Sequence, residues 1–438
     1  VELADQGKCD LVFMKGANPA SNHPRFIHQI KACRERCGKV IVINPAREPG
    51  LLRFAVPKSP RSLLLGGTEI ASDYLQPVIG SDIALLKGLA KAVLQQSGEH
   101  RGFISAHTEG FPAFRADIES TSWRTLTEAC GVRRADMERV AATYCAAESA
   151  VLAWGMGVTH HRHGVANVEQ IANLALLRGM IGRPSAGLLP LRGHSNIQGI
   201  GTIGVKPVVA EDVFRAMERE FNVDLPRAPG MDTVACLDAA SRGEVDVAVM
   251  MGGNLYQASP NSAWSEQALE RINSKIFLTT TLNRGHVVGV ERGDSLILPV
   301  TARDEERQPT TQESMFNYER LSDGGIHRLS NVRPEVDILC ELGQRVLPET
   351  PIPFPELSTH RNLRLAIARI VPGMEDLAYI DFAKRELHVR NRLLLTPSFH
   401  TATGKARFNV RPLPEPLPAA EDQFFLSTVR SEGQFNTS

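Results

Sequence analysis

Asp10-Leu-Val-Phe-Met-Lys-Gly-Ala-Asn-Pro19 is a short apolar run that ends abruptly in glycine, asparagine and proline. Such a run, bounded by turn formers, is the pattern of a strand buried on both faces. A helix is expected from Asn22-His-Pro-Arg25 through Gln29, Ile30 and Cys33, stopped by Gly38, and Lys39-Val-Ile-Val-Ile43 is a second apolar strand closed by Asn44-Pro45. Strand, helix and strand in this order imply a parallel pair joined by a crossover helix. The pattern recurs. Asp246-Val-Ala-Val-Met250 leads to Gly252-Gly-Asn254, a helix over about 261–272 and the strand Lys275-Ile-Phe-Leu-Thr279. Gly16 and Asn18 stand six and eight residues after Asp10, and Gly252 and Asn254 stand at the same steps after Asp246. Lys39 and Asn44 likewise fall at the steps of Lys275 and Thr280. The fold class that follows is α/β, with two related parallel-sheet domains. Ligands of such sheets bind outside the carboxyl ends of the strands, where glycine lets the backbone approach and helix amino termini favour phosphate. Gly and Asn as mere punctuation would explain either copy alone. The matched spacing favours two nucleotide-like sites.

Between the copies lies a stretch with two glycine-rich loops. Ala150-Val-Leu-Ala-Trp154 reads as a strand delivering Gly155-Met-Gly-Val-Thr-His-His-Arg-His-Gly164, and a helix over about 167–180 ends at Gly182-Arg-Pro184. The second loop is Gly187-Leu-Leu-Pro-Leu-Arg-Gly-His-Ser-Asn-Ile-Gln-Gly199. Polar, glycine-rich loops at the ends of buried elements commonly carry function. A further amphipathic helix over 81–93 follows Gly80, with Ser81 or Asp82 as its cap. The three histidines of His160-His-Arg-His163 could ligate a divalent ion, but Arg162 among them opposes a cation and no carboxylate or cysteine is close in sequence. No metal ligand is assigned there, and His23 is read as a helix-start residue.

Lys+Arg and Asp+Glu both total 49, which leaves no global field to attract nucleic acid or an anionic membrane. No apolar run approaches the ~20 residues that span a bilayer. The seven cysteines are scattered without a Cys-x-x-Cys pair, as expected of reduced thiols in a cytoplasmic protein. Cys33 and Cys37 would share a helix face at i, i+4, but two thiols do not close a zinc site. No signal peptide is visible, and the chain starts at Val1 just ahead of a strand, so it is expected to be the central portion of a longer protein. After the second copy come a strand over 294–300, a polar stretch over 302–313 read as a solvated loop, and a helix over 335–346 opened by Pro334. Proline-rich linkers at 348–355 and 412–418 and strands at 393–408 and 424–429 would begin a β-rich domain. The expected division is 1–199 and 200–305 for the two α/β domains, 306–392 for a connecting region, and 393–438 for the start of the β-domain.

These stretches resemble the molybdopterin oxidoreductases of the dimethyl sulfoxide reductase superfamily, in particular the branch of formate dehydrogenase alpha-subunit-like proteins. The resemblance rests on Gly16-Ala-Asn-Pro-Ala-Ser-Asn-His-Pro24, Gly155-Met-Gly-Val158, Asn173-Leu-Ala-Leu-Leu177 with Gly182-Arg-Pro184, and most specifically Pro190-Leu-Arg-Gly-His-Ser-Asn-Ile-Gln-Gly199. Leu298-Pro299, Ala302-Arg-Asp-Glu-Glu306 and Thr428-Val-Arg-Ser-Glu-Gly433 extend it over nearly the whole chain. It implies a molybdenum or tungsten ion held by two molybdopterin guanine dinucleotides, one in each α/β domain. By resemblance Gly16, Asn18, Asn22, Asn44, Gly80 and Asp82 line one dinucleotide site, and Gly252, Asn254, Ala258 and Thr280 the other. Met156, Gly157 and His160 match pterin-loop positions, and His194 matches a polar position beside the active site. Arg192 matches the active-site arginine of formate dehydrogenases, where a planar, permanently charged guanidinium can hold a small carboxylate through two hydrogen bonds. A salt bridge closing the two domains is the structural alternative for Arg192. The resemblance also implies a [4Fe-4S] cluster and a metal-ligating cysteine or selenocysteine ahead of Val1. The chain alone is therefore expected to be inactive and free of cofactor. A small-molecule substrate (formate or a similar anion) and an electron-transfer partner are implied, with no nucleic acid and no membrane span. Nitrate reduction and a non-catalytic scaffold remain as alternatives.

Overall fold

The computed structural model of the chain describes residues 3–56, 59–64, 66–194, 196–259, 261–389 and 394–415. They form two compact units, one of residues 3–193 with 394–415, the other of residues 194–389.

The first unit is built on five strands: β1 (Leu11–Lys15), β2 (Lys39–Ile43), β3 (Asp73–Leu75), β4 (Ala150–Trp154) and β5 (Gly187–Pro190). Every pairing is parallel and the order is β3-β2-β1-β4-β5. The chain first winds outward from β1 to β2 and β3, then returns to the other side of β1 as β4. That reversal leaves a topological switch point between β1 and β4. All five residues of β1 are buried, as the apolar run requires. Leu11 and Phe13 alternate with Val12 and Met14, so both faces of the strand need cover. The helices α1 (Pro24–Glu35), α2 (Asp82–Gln95), α3 (Arg134–Ala146) and α4 (Gly164–Leu177) supply it. Leu11, Phe13, Ile41 and Leu152 share one core with Leu85, Leu89, Val140, Tyr144 and Leu174, and Phe13 meets the ring of Tyr144 edge-on at 5.2 Å.

The segment 394–415 packs on this unit. Phe408 stacks against Phe111 and Phe114, and the Asn409 backbone is held by the side chains of Gln170 and Asn173. The strand expected over 393–408 shrinks to Ala406–Arg407, which pairs in parallel with Thr108–Glu109. Its residues make aromatic contacts in place of a sheet. The strand expected over 424–429 and the motif Thr428–Gly433 lie outside the described residues, as does Ser195.

The second unit carries helix α5 (Thr233–Ser241), strand β6 (Val247–Met251), helix α6 (Ser262–Glu270) and strands β7 (Ser274–Thr279) and β8 (Asp294–Pro299). The three strands are parallel in the order β8-β7-β6. The polar stretch over 302–313 is not a solvated loop. Its second half is β9 (Thr310–Ser314), which forms an antiparallel hairpin with β10 (Tyr318–Ser322). Glu313 and Glu319 face each other across it, and both are buried. Polar composition concealed the hairpin, because a strand that buries carboxylates lacks the apolar alternation that announces one.

Candidate dinucleotide and substrate sites

Five loops leave the carboxyl ends of the first sheet, and they carry Gly16 and Asn18, Asn44, Gly80 and Asp82, Met156 and Gly157, and Arg192. Parallel strand polarity alone brings these sequence-distant residues to one edge. At the switch point the loops after β1 and β4 interlock. The Gly157 N–H donates to the Gly16 carbonyl at 3.0 Å, and the Gly155 N–H donates to the Lys15 carbonyl at 3.0 Å. Gly16 has φ +53, and a Cβ there would lie 2.8 Å from the Gly157 carbonyl carbon. Glycine is needed at Gly16 both for its dihedral and for the contact.

Asn18 stands at the N-cap position of a four-residue helix, Pro19–Asn22, with φ −120 and ψ 86, but its side chain makes no capping hydrogen bond. Its carboxamide donates to Glu48, and the other Glu48 oxygen accepts from Asn44 Nδ2 at 2.7 Å. The Glu48 N–H in turn donates to the Tyr74 hydroxyl at 3.3 Å, which donates to the Ala46 carbonyl at 2.5 Å. Glu48 and Tyr74 thus tie together the loops after β1 and β2 and strand β3. Neither was singled out in the sequence, because no local pattern marks a residue that acts through two distant asparagines. Asn22 ends the short helix and is exposed.

Lys15 closes β1 with its side chain 4% exposed, and its ammonium lies 3.3 Å from the Asp82 carboxylate in the first turn of α2. Burial holds the Lys15 amine below the usual lysine range, with Asp82 opposing that shift. Ser81 precedes α2 but donates to the Val78 carbonyl at 2.6 Å and does not cap the helix with its side chain. In the loop after β4, Met156 is half-buried while Gly157 and His160 are exposed. His161 Nε2 lies 2.8 Å from the Gly157 carbonyl oxygen, so one of the three histidines is used to fix the loop. Arg192 is exposed, and its carbonyl oxygen meets His23 Nε2 at 2.5 Å.

The second unit repeats this arrangement. Gly252 has φ +63, and its N–H donates to the Leu278 carbonyl at 2.7 Å, as the Gly16 N–H does to the Ile43 carbonyl at 3.1 Å. Asn254 caps the four-residue helix Leu255–Ala258 with φ −144 and ψ 81, close to the backbone of Asn18. The repeat slips by one residue in the second strand. Leu11 pairs with Lys39, 28 residues on, whereas Val247 pairs with Ser274, 27 residues on. The structural counterpart of Asn44 is therefore the buried Thr279, with Thr280 exposed beside it. Asn283 and His286 also belong here: Asn283 Nδ2 donates to the Gly253 carbonyl at 2.9 Å, and the Asn283 N–H donates to His286 Nδ1 at 3.0 Å. Together with Gly252, Gly285 and Asn254 they line a small cavity. Ala258 is exposed at the end of the short helix.

His194 is exposed. Asn196, two residues on, has φ +62, and its side-chain oxygen accepts the Glu313 N–H at 3.0 Å. A Cβ on Gly199 would collide with Asn196 and crowd Glu313. The asparagine and final glycine of the most specific motif thus fix the following helix on the β9 hairpin. Cys37 corrects another expectation: α1 stops at Glu35, and Cys37 lies beyond it at φ +67, exposed, so it does not share a helix face with buried Cys33.

The residues present fit a phosphate-bearing, dinucleotide-like group. A Cβ added at Gly80 or Gly252 would meet nothing within 4 Å, and Asn18 Oδ1 is buried without a hydrogen-bond partner. Parallel α/β units with glycine turns and short helices at their strand ends are an arrangement on which nucleotide-bearing cofactors can bind. Residues 2–345 match the family model for molybdopterin oxidoreductase, and the chain belongs to that family. An uncharacterized oxidoreductase of Mycobacterium tuberculosis is 35% identical over 453 residues, covering 100% of this chain and 58% of the relative. Formate dehydrogenase H of Escherichia coli is 26% identical over 457 residues, covering 98% of this chain and 59% of the relative. The chain therefore spans less than two thirds of the length of these relatives. Among solved structures, acetylene hydratase from Pelobacter acetylenicus shares the fold with a TM-score of 0.61 at 14% identity, covering 92% of this chain and 58% of that one.

Proposed function

We propose that the whole protein is a molybdopterin-dependent oxidoreductase that converts formate to carbon dioxide, and that the two units described here each hold one molybdopterin guanine dinucleotide. The observation that carries this reading is the repeated turn, Gly16 to Asn18 and Gly252 to Asn254, with similar dihedrals and an equivalent cross-strand hydrogen bond in both units. Gly16, Asn18, Asn22, Asn44, Gly80, Asp82, Met156, Gly157 and His160 would serve one dinucleotide, and Gly252, Asn254, Ala258 and Thr280, joined by Thr279, Asn283 and His286, the other.

When bound, the molybdopterin-held molybdenum or tungsten supplies a two-electron acceptor. The chain's own residues bind and orient. Arg192, exposed on the loop after β5, would hold the formate carboxylate in a bidentate pair. His23 fixes the backbone of that loop through the Arg192 carbonyl. His194 is assigned to receive the proton released as formate becomes carbon dioxide. Formate is favoured over nitrate by the formate dehydrogenase among the relatives and by the match of Arg192 to that branch. The proposal includes an electron-transfer partner and an iron–sulfur cluster carried elsewhere in the protein, and a cytoplasmic location. No helix among the described residues is long and apolar enough to cross a membrane. The test is an assay of the whole purified protein with formate and a viologen dye, beside nitrate with reduced dye. Formate-dependent dye reduction that disappears in Arg192→Ala is expected. Dye oxidation by nitrate without formate activity overturns the substrate assignment. A correctly folded whole protein without molybdopterin or metal supports a scaffold instead.

A further inference from the structure

Side-chain hydrogen bonds pin the turn after β7 around one exposed arginine, Arg284. The Asn283 side chain accepts the Gly285 N–H at 2.9 Å, and His286 Nδ1 accepts the Asn283 N–H at 3.0 Å. Asn283 Nδ2 also donates to the Gly253 carbonyl at 2.9 Å, which ties this turn to the glycine loop after β6. A Cβ on Gly285 would collide with the Asn254 side-chain oxygen, so the two loops are in contact. Asn283 and Gly285 line the small cavity beside Gly252, and Arg284 stands between them in the chain. Its guanidinium carbon lies 5.9 Å from the centre of the Tyr256 ring. Tyr256 is on the short helix capped by Asn254, one residue past Leu255 of the cavity wall. Among the described residues no carboxylate pairs with Arg284, whereas Arg227, Arg242 and Arg328 of the same unit each bridge two. A guanidinium held over a ring on a pinned turn, with its donors free of protein carboxylates, suits a planar pair of acceptors.

The first unit carries the same device made from other parts. Arg47, three residues after Asn44, is exposed, and its guanidinium carbon lies 6.0 Å from the centre of the Tyr74 ring. Tyr74 comes from β3, whereas Tyr256 comes from a short helix. An arginine–tyrosine step reached from different elements is not a by-product of the shared backbone.

We propose that Arg284 reads the nucleobase of the dinucleotide in the second unit, its fork donating to O6 and N7 of guanine while the Tyr256 ring fixes its plane. This rests on the reading of that unit as a dinucleotide site. In such crevices the pyrophosphate lies at the first glycine turn and the end of the next strand faces the nucleoside. Gly252 supplies the turn, and Arg284 is on the loop of the next strand. Guanine presents two adjacent acceptors on that edge. Adenine sets an amino donor beside N7 and cytosine presents an amino donor, and either would meet the guanidinium donor to donor.

The full natural polypeptide, made in a molybdopterin-deficient host and checked for folding by circular dichroism, is titrated calorimetrically with GDP and with 7-deaza-GDP, which lacks the N7 acceptor. GDP should fill one site in each unit, and Arg284→Met should weaken one of them about tenfold. At that site the wild type should bind GDP several-fold more tightly than 7-deaza-GDP, and Arg284→Met should bind the two alike. Arg284→Lys, which keeps the charge but not the fork, should behave as Arg284→Met does. Tyr256→Leu should lose the preference, and Tyr256→Phe, which keeps the ring, should retain it. A preference that persists in Arg284→Met overturns the assignment, as does an unchanged affinity for GDP. An equal loss of GDP, ADP and CDP in Arg284→Met also overturns it, because that marks a phosphate contact. Failure of every nucleoside diphosphate to bind overturns the dinucleotide reading itself, and the proposal with it.

Discussion

His23 Nε2 lies 2.5 Å from the carbonyl oxygen of Arg192. A carbonyl can only accept, so Nε2 carries the proton and donates. Nδ1 is then the bare acceptor of a neutral ring, and it is buried without a hydrogen-bond partner. Burial holds the His23 pKa below the ordinary histidine value, with the bond to Arg192 opposing that shift. The residue just ahead of α1 is thus a support for the loop that carries Arg192, the arginine proposed to hold substrate. His23→Phe keeps ring volume and removes the donor. It should cost about 1 kcal/mol of stability, read by denaturant melts, and raise KM for formate in the whole protein several-fold with kcat less affected. An unchanged KM would leave His23 a packing residue only.

The depressed His23 pKa has a consequence for stability. The unfolded chain binds this proton more readily than the folded one, so the contribution is complete above the unfolded value of about 6.5. It is lost as pH falls through the lower folded value. Melting temperature should drop on acidification below that range, and the drop should be shallower in His23→Phe.

Glu319 has the opposite sign. Burial raises its carboxyl to about 7 in the folded state, and Glu313 faces it across the hairpin. A raised carboxyl contributes stability below its unfolded value and loses it as pH rises through about 7. Glu319→Gln should therefore raise the melting temperature at pH 8 and leave it nearly unchanged at pH 5. A uniform loss at both values would show that the carboxyl is needed in itself.

Gly16 and Gly252 share a positive φ but not their surroundings. A Cβ on Gly16 would press into the backbone of Gly157 at 2.8 Å, whereas one on Gly252 would meet nothing within 4 Å. Gly252→Ala should cost only the left-handed strain, about 1 kcal/mol. Gly16→Ala should cost more, because the loops after β1 and β4 must separate. Urea denaturation of the two variants compares them directly, and equal losses would mean that the loops are not locked together.

Lys15 and Asp82 form a pair in which Lys15 is almost wholly buried. Lys15→Met leaves the Asp82 carboxylate without its counter-ion and should destabilise by roughly 3 kcal/mol, while Lys15→Met with Asp82→Asn should recover most of that loss. Additive losses in a double-mutant cycle would show that the two charges do not depend on each other.

Much of the architecture was legible along the chain. The apolar runs at Leu11, Lys39, Ala150, Val247 and Ser274 are strands within a residue or two of where they were expected. Pro334 precedes the helix Glu335–Val346 as its proline predicts. The hairpin over 310–322 was not legible, because its buried carboxylates read as solvent-facing. The slip that makes Thr279 the structural counterpart of Asn44 was invisible too, since spacing along the chain does not reveal register between strands.

The parallel α/β class, the repeat and the glycine turns are written along the chain, because each depends on local periodicity and on residues whose backbone freedom is intrinsic. Tertiary structure alone decided what those turns touch. That Gly16 interlocks with Gly157, that Glu48 joins Asn18 to Asn44, and that His23 holds Arg192 follows from strand order β3-β2-β1-β4-β5. That order gathers the carboxyl ends of strands far apart in sequence at one edge of the sheet. No local pattern encodes such neighbours, because the contacts form only once the strands lie side by side in the sheet.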